Sequence, residues 1–96
     1  MNKDEIIVFL KENKPYIEQQ FGVVRIGLFG SYVRGNAHED SDIDIAVEMR
    51  DEHIFRNFFS LERYLKEHLK KEIDLGIMET IKPLVRQRVL KEIIYV

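Results

Sequence analysis

The chain has 96 residues, 45% of them hydrophobic, and its formal net charge is −2. This length predicts one domain over residues 1–96, and the slightly acidic balance gives no support for a domain that binds nucleic acid directly. There is no cysteine, which excludes a disulfide framework and a thiolate zinc site.

Two further features of composition bear on location and partners. No stretch approaches the roughly 20 apolar residues of a membrane span, and the acidic N-terminal segment does not resemble a signal sequence. We therefore expect a soluble cytoplasmic protein. Basic residues form two groups, which are either solvated helix faces or a docking face for an acidic partner: Lys66, Lys70 and Lys71, and then Lys82, Arg86, Arg88 and Lys91.

The N-terminal segment has apolar residues at helical spacing, which predicts a helix over residues 3–13. Pro15 should end or restart this helix, because proline is tolerated in a first helical turn but not further in. Residues 16–20 can then form a short second helix. Gly22 is the expected stop.

The first strand is predicted over residues 23–29. It is apolar on both faces except for Arg25, so it should lie inside a sheet. Gly30 and Ser31 form the turn out of this strand, and residues 32–35 can make one helical turn. A polar loop follows.

The second strand is predicted over residues 42–49, where apolar and polar residues alternate. Its two faces should carry Ile43, Ile45 and Val47 on one side and Asp42, Asp44, Ala46 and Glu48 on the other. A third strand is predicted over residues 72–78, with Asp74 on the face opposite to its apolar side chains.

Two more helices complete the predicted order. Residues 54–70 form the longest helix, with Phe55, Phe58 and Phe59 expected in the core. Pro83 begins a last helix to about residue 92, and residues 93–96 form a short extended tail. Five apolar residues here belong either to the core or to an exposed patch for a partner: Leu84, Val85, Val89, Ile93 and Ile94. This order predicts an α/β (α+β) fold, a small mixed β-sheet with helices packed mainly on one face.

The aspartates of the two later strands suggest a metal site. If the apolar faces of both strands meet the helices, Asp42, Asp44 and Asp74 all lie on the open face. Three like charges there would repel one another and raise their pKa values. A bound divalent cation removes that conflict, and oxygen ligands suit Mg²⁺ or Mn²⁺.

The turn after the first strand suggests a phosphate site. Gly30 lets the backbone approach a ligand closely, and the N–H groups of Ser31, Tyr32 and Val33 would be free to bind an anion. Arg34 either reaches a phosphate with its planar fork or forms a surface salt bridge. We expect the Tyr32 ring to pack on the sheet rather than stack on a nucleotide. A metal–triphosphate nucleotide would satisfy both ends of this stretch.

Two competing motifs fail on their residues. A P-loop requires Lys and Ser or Thr where Asn36 and Ala37 stand. An EF-hand requires glycine at Ile45 and a bidentate glutamate at Asp51.

The segment GSYVRGNAHEDSDID, residues 30–44, resembles the G-S-x₁₀-D-x-D signature of the polymerase-β-like nucleotidyltransferases. The longer pattern FGS…RG…SDIDIAV is similar to minimal nucleotidyltransferase (MNT) domains, which act as antitoxins beside HEPN-domain toxins. The resemblance covers nearly the whole chain: a leading helix, the signature, a long helix, and a strand with a third carboxylate. It implies the polymerase-β-like nucleotidyltransferase fold.

The resemblance also implies the role of each site residue. The metal ligands, which are also the catalytic residues, would be Asp42, Asp44 and Asp74, with Asp74 helping to activate the acceptor hydroxyl. The groups that hold the nucleotide phosphates would be Gly30, Ser31 and Arg34.

The implied function is metal-dependent transfer of AMP from ATP to a hydroxyl of a partner HEPN toxin, most simply a tyrosine. An alternative is a non-catalytic binding module that neutralises the toxin by forming a complex. A third interpretation is a stand-alone transferase for a small molecule. Self-association into a homo-oligomer is left open.

Overall fold

The computed structural model describes all 96 residues, Met1 to Val96. The elements in chain order are α1 (Lys3–Phe21), β1 (Val23–Phe29), α2 (Ser31–Arg34), β2 (Ile43–Met49), α3 (Ile54–Leu69), β3 (Ile73–Ile77), α4 (Pro83–Glu92) and β4 (Ile94–Tyr95). A single 3₁₀ turn, Met78–Thr80, lies between β3 and α4. No helix combines the length and the apolar character that crossing a membrane requires.

The four strands form one mixed sheet in the order β3-β2-β1-β4. β2 pairs in parallel with β3, whereas β1 is antiparallel to both β2 and β4. The prediction that β1 lies inside the sheet is therefore confirmed. Gly27 makes the pairing with β4 possible, because a Cβ atom there would lie 2.7 Å from Ile93 Cγ1 and 2.9 Å from the Ile94 carbonyl oxygen.

The prediction that Pro15 ends or restarts the first helix is wrong, because α1 continues through it without a break. Proline removes one helical hydrogen bond, and the turns beyond it are held by tertiary packing, since Ile17 and Phe21 are buried in the core. Gly22 ends the helix as predicted, with φ +68° and its N–H donating to the Glu18 carbonyl oxygen.

The main core lies between one face of the sheet and the helices α1 and α3. Ile43, Ile45 and Val47 of β2 are all buried in it, as the alternation predicts. α3 contributes a buried stripe at four-residue spacing, formed by Leu61, Leu65 and Leu69.

The prediction that the α3 phenylalanines are core residues is wrong for two of the three. Phe55 is 77% exposed and Phe59 59% exposed, whereas Phe58 is half-buried. The leucine stripe determines which side of α3 faces the sheet, and Phe59 lies about 200° around the helix from Leu61. Phe55, one turn earlier, shares the outward direction of Phe59.

The second face of the sheet is only partly covered. α4 lies over it, and Val89 packs with Ala46 of β2 and with Met78 in a small separate cluster. Val89 is thus a core residue, but Leu84 is 78% exposed and Val85 is also exposed. Because Ala46 and Asp44 lie on the same face of β2, α4 runs beside the carboxylates and leaves them accessible.

Candidate active site

The parallel pairing of β2 and β3 brings two of the predicted carboxylates together. Asp44 and Asp74 are direct partners in the register, and both side chains point away from the main core. Their carboxyl groups lie within hydrogen-bonding reach of each other. The alternation in the sequence predicts the face, and the strand register places the two residues side by side on it.

The glycine turn lies directly against Asp44. Phe29, the last residue of β1, is the register partner of Asp44, so Gly30 comes immediately beyond that pair. Its backbone has φ +82°. A Cβ atom at this position would lie 2.8 Å from Asp44 Cγ and closer still to Oδ2. The turn and the carboxylate can therefore be in contact only because residue 30 has no side chain.

The short helix α2 leaves backbone donors at its start. The N–H groups of Ser31 and Tyr32 have no protein acceptor, as predicted. The Val33 N–H is not free, because it donates to the Gly30 carbonyl oxygen at 3.0 Å. Tyr32 is buried in the main core, so the prediction that its ring packs in the protein is confirmed.

Arg34 forms an ion pair with a residue that sequence reasoning missed. Its Nη1 lies 3.1 and 3.2 Å from the two carboxylate oxygens of Glu92, and Glu92 Oε2 also accepts the Gly30 N–H at 2.5 Å. Gly30 and Glu92 are 62 residues apart in the chain. A single glutamate at the end of a charged helix carries no local signal of this contact.

Four of these residues, Gly30, Arg34, Asp44 and Glu92, line a small cleft of about 180 Å³ between the sheet and α4, whereas Ser31 and Asp74 do not. Its walls are formed by Phe29, Gly30, Arg34, Asp44, Val85, Arg88, Val89 and Glu92. Asp42 lies outside this cleft, in a polar hollow next to Lys70 and Lys71. A larger hollow of about 580 Å³ follows the first turns of α1 and contains none of the predicted site residues.

Asp44 has the most strongly shifted carboxyl group of the site. Burial, then the charge and hydrogen bond of Asp74 and the charge of Asp42, raise its pKa to about 6, and the positive charge of Arg34 opposes this increase. The three ion pairs of the molecule involve other carboxylates, those of Glu48, Glu92 and Glu72. No cationic side chain therefore forms a salt bridge with the aspartates.

The donor set fits a hard divalent cation. Three carboxylates without a salt-bridge partner provide oxygen ligands of the kind that Mg²⁺ and Mn²⁺ prefer. The three side chains do not converge on one point, since no three acidic or histidine residues lie close enough together to hold a metal ion. Asp44 and Asp74 are adjacent, and Asp42 is exposed just before β2 begins. The ligand roles of the three aspartates remain a prediction.

The raised pKa of Asp44 predicts how stability depends on pH without added metal. The folded state holds a proton on this carboxyl up to about pH 6, whereas the ordinary value is 3.8. The free energy of unfolding should therefore fall as pH rises from about 4 to 7. We expect a loss of about 1 kcal/mol, because solvent screening at this half-exposed position reduces the full effect of the pKa shift. Denaturant unfolding of the wild type and Asp44→Asn across this range measures the difference. If the free energies of unfolding of the two proteins change with pH in the same way, the prediction is wrong.

The fold and the site together define a class of protein. Adjacent carboxylates hold the metals of phosphoryl-transfer reactions, and a glycine turn lets the backbone approach a phosphate. The chain also matches the sequence model of the nucleotidyltransferase domain over residues 5–96. The chain therefore belongs to the nucleotidyltransferase domain family and is a nucleotidyltransferase.

Within this family the chain is similar to minimal members. Protein adenylyltransferase MntA of Thermococcus cleftensis is 41% identical over 93 residues, which cover 97% of this chain and 94% of the relative. A solved structure of a minimal nucleotidyltransferase superposes with a TM-score of 0.82 at 29% identity, covering 98% of this chain and 95% of that one. The fold expected from the resemblance is thus confirmed.

Two further solved structures are toxin–antitoxin complexes. A chain of a toxin–antitoxin structure with AMP-PNP superposes with a TM-score of 0.69 at 30% identity, over 99% of this chain and 72% of that one. A chain from the complex of the tri-AMPylated HEPN toxin of Shewanella oneidensis with its MNT antitoxin gives 0.59 at 27% identity, over 96% and 66%.

Proposed function

We propose that this chain is an antitoxin that transfers AMP from ATP to a hydroxyl group, that of a tyrosine, on a partner HEPN toxin. The observation that carries the proposal is the contact of the glycine turn with Asp44, which is paired with Asp74. Such a contact would let the turn bind a nucleotide phosphate next to a carboxylate that holds a metal ion. The adenylyltransferase relative and the AMPylated toxin bound to a similar antitoxin support the same reaction.

The proposed site residues divide into those that bind the phosphates of the nucleotide and those that bind the metal ion. Ser31 and Tyr32 offer free N–H groups to the phosphates, and Arg34 offers its guanidinium. The carboxylates that would hold Mg²⁺ or Mn²⁺ are Asp42, Asp44 and Asp74. When bound, such a cation would neutralise charge on the reacting phosphate oxygens.

The reaction balances without any redox partner. The acceptor oxygen forms a bond to the α-phosphorus of ATP, the bond from that phosphorus to the pyrophosphate oxygen breaks, and pyrophosphate leaves. A tyrosine hydroxyl has a pKa near 10, so only about one in a thousand is ionised at pH 7. Asp74 is exposed at the site and serves as the base that takes its proton.

The shape of the site supports a macromolecular acceptor. The cleft of about 180 Å³ leaves no enclosed room for a small acceptor beside the nucleotide, because pockets that enclose small molecules have roughly 300–1,000 Å³. A side chain presented by another protein needs no enclosed pocket. The exposed apolar residue Val85 of α4 lines this cleft, and the exposed Leu84 precedes it in the chain, so both can contact the partner.

Intact mass spectrometry of a candidate HEPN partner protein tests the proposal. We expect it to gain one or more AMP units when incubated with the wild-type chain, ATP and Mg²⁺, and none with the variant Asp42→Ala/Asp44→Ala. Asp51→Ala, which removes an exposed carboxylate beyond the other end of β2, is the matched control and should retain transfer. A stable complex without any AMP gain would reject the enzyme and favour a non-catalytic antitoxin.

A further inference from the structure

Glu92 joins the C-terminal end of α4 to both parts of the proposed phosphate site. Its carboxylate accepts the Gly30 N–H at 2.5 Å and lies 3.1 Å from Arg34 Nη1. The Glu92 side chain is only 21% exposed, compared with 45% for Arg34. The more deeply buried partner of this ion pair is therefore the carboxylate of Glu92.

The location of Glu92 is not one that the helix itself favours. A negative charge at the C-terminal end of a helix is opposed by the helix dipole. The Gly30 N–H and the Arg34 guanidinium compensate for that opposition. The stabilising contacts of Glu92 are thus made with the candidate site, so α4 and the glycine turn are held together there.

The ion pair uses only part of the Arg34 donor set. Both contacts to Glu92 come from Nη1, and the guanidinium has further N–H groups on Nη2 and Nε. These groups have no protein acceptor among the hydrogen bonds of the structure. Arg34 can therefore donate to a phosphate while Glu92 still holds it, and Glu92 limits the directions in which the fork can point.

We propose that Glu92 is a positioning residue, which orients the Arg34 guanidinium and the Gly30 turn so that they receive the nucleotide phosphates. This rests on the proposed function, in which ATP binds at that turn. Glu92 does not contact the reacting atoms. The opposite role would be that of a competitor, in which the Glu92 carboxylate fills the phosphate site and ATP must displace it. The two roles predict opposite effects of neutralising the side chain.

The test measures the affinity of the full chain for AMP-PNP with Mg²⁺ by calorimetry. Glu92→Gln keeps the shape but removes the charge, and we expect it to weaken binding about 10-fold, the scale of one charge-assisted hydrogen bond. Arg34→Ala should weaken binding as well. Adding Glu92→Gln to Arg34→Ala should then cost less than Glu92→Gln alone, because the part of its effect that acts through Arg34 is already lost and the glutamine oxygen can still accept the Gly30 N–H.

A matched control is available on β2. Arg25 and Glu48 form an exposed ion pair at 3.4 Å outside the cleft, so Glu48→Gln neutralises a comparable pair and should leave AMP-PNP affinity unchanged. Glu92→Asp, which keeps the charge but is one methylene shorter, should fall between wild type and Glu92→Gln. In transfer assays, Glu92→Gln should raise the KM for ATP while the KM for the acceptor stays constant.

The outcomes separate this proposal from the proposed function. If the wild type binds AMP-PNP and Glu92→Gln binds it equally well or more tightly, the positioning role is overturned and ATP binding stands. Equal losses with Glu92→Gln and Glu48→Gln would likewise overturn it, since they would indicate a general charge effect. If the wild type binds no nucleotide, both proposals fail.

Discussion

Replacing Asp44 by asparagine should reduce AMP transfer by about 10³-fold, the scale seen when one preorganised electrostatic group is removed from an active site. Among the three aspartates, Asp44 is the one that contacts both another carboxylate and the glycine turn. It pairs with Asp74 across the strands, and the Gly30 turn packs against it. An amide has nearly the same shape, but it carries no negative charge to hold a cation.

The measurement is the initial rate of AMP transfer to the HEPN partner at saturating ATP. Asp40→Asn is the matched control, because Asp40 is an exposed loop aspartate two residues before Asp42, and it should keep the wild-type rate. Asp44→Asn should fold normally and still bind the partner, since it removes a repulsion. A rate within a few-fold of wild type would exclude Asp44 from the catalytic set.

Replacing Gly30 by alanine should damage stability and activity together. The backbone at φ +82° and ψ −152° is a conformation that is open essentially only to glycine. The added Cβ would also collide with the Asp44 carboxylate. We expect a loss of on the order of 3 kcal/mol in the free energy of unfolding. Transfer should fall about 100-fold, because the turn must move away from its position.

Gly35→Ala is the comparison at a glycine that has neither the collision nor the glycine-only conformation, because its ψ is 16° and its backbone lies in the ordinary left-handed region. Gly35 has nearly the same φ, +83°, but a Cβ there would meet nothing within 4 Å. This control should therefore lose only the cost of a left-handed alanine, about 1 kcal/mol, and should keep most of its activity. Denaturant unfolding and transfer rates of both variants provide the comparison. Equal effects of the two substitutions would show that contact with Asp44 is unimportant.

Much of the candidate site could be predicted from local pattern. The segment G-S-x₁₀-D-x-D is continuous in the chain, so its residues needed no tertiary information to be recognised. Alternation in β2 and β3 also predicted that Asp44 and Asp74 lie opposite the apolar side chains. The second inference depends on the two-residue period of a strand, which is a property of the backbone alone.

The predictions that failed involved competition between a local preference and packing. Pro15 disfavours a helix interior, but burial of Ile17 and Phe21 holds α1 together beyond it. Phe55 and Phe59 are apolar, but the leucine stripe of α3 occupies the face that meets the sheet. Apolar character indicates that a residue can be buried, while the orientation of the whole helix decides whether it is.

The sequence by itself determined the family, the mixed α/β architecture and the residues proposed to carry the chemistry, because those features are encoded by short continuous patterns. Only the tertiary structure decided which of these residues meet. The register of β2 with β3 pairs Asp44 with Asp74, and the path of α4 brings Glu92 to the Gly30 turn. Such contacts join segments that are far apart in the chain, and they depend on how the core packs rather than on any neighbouring residue.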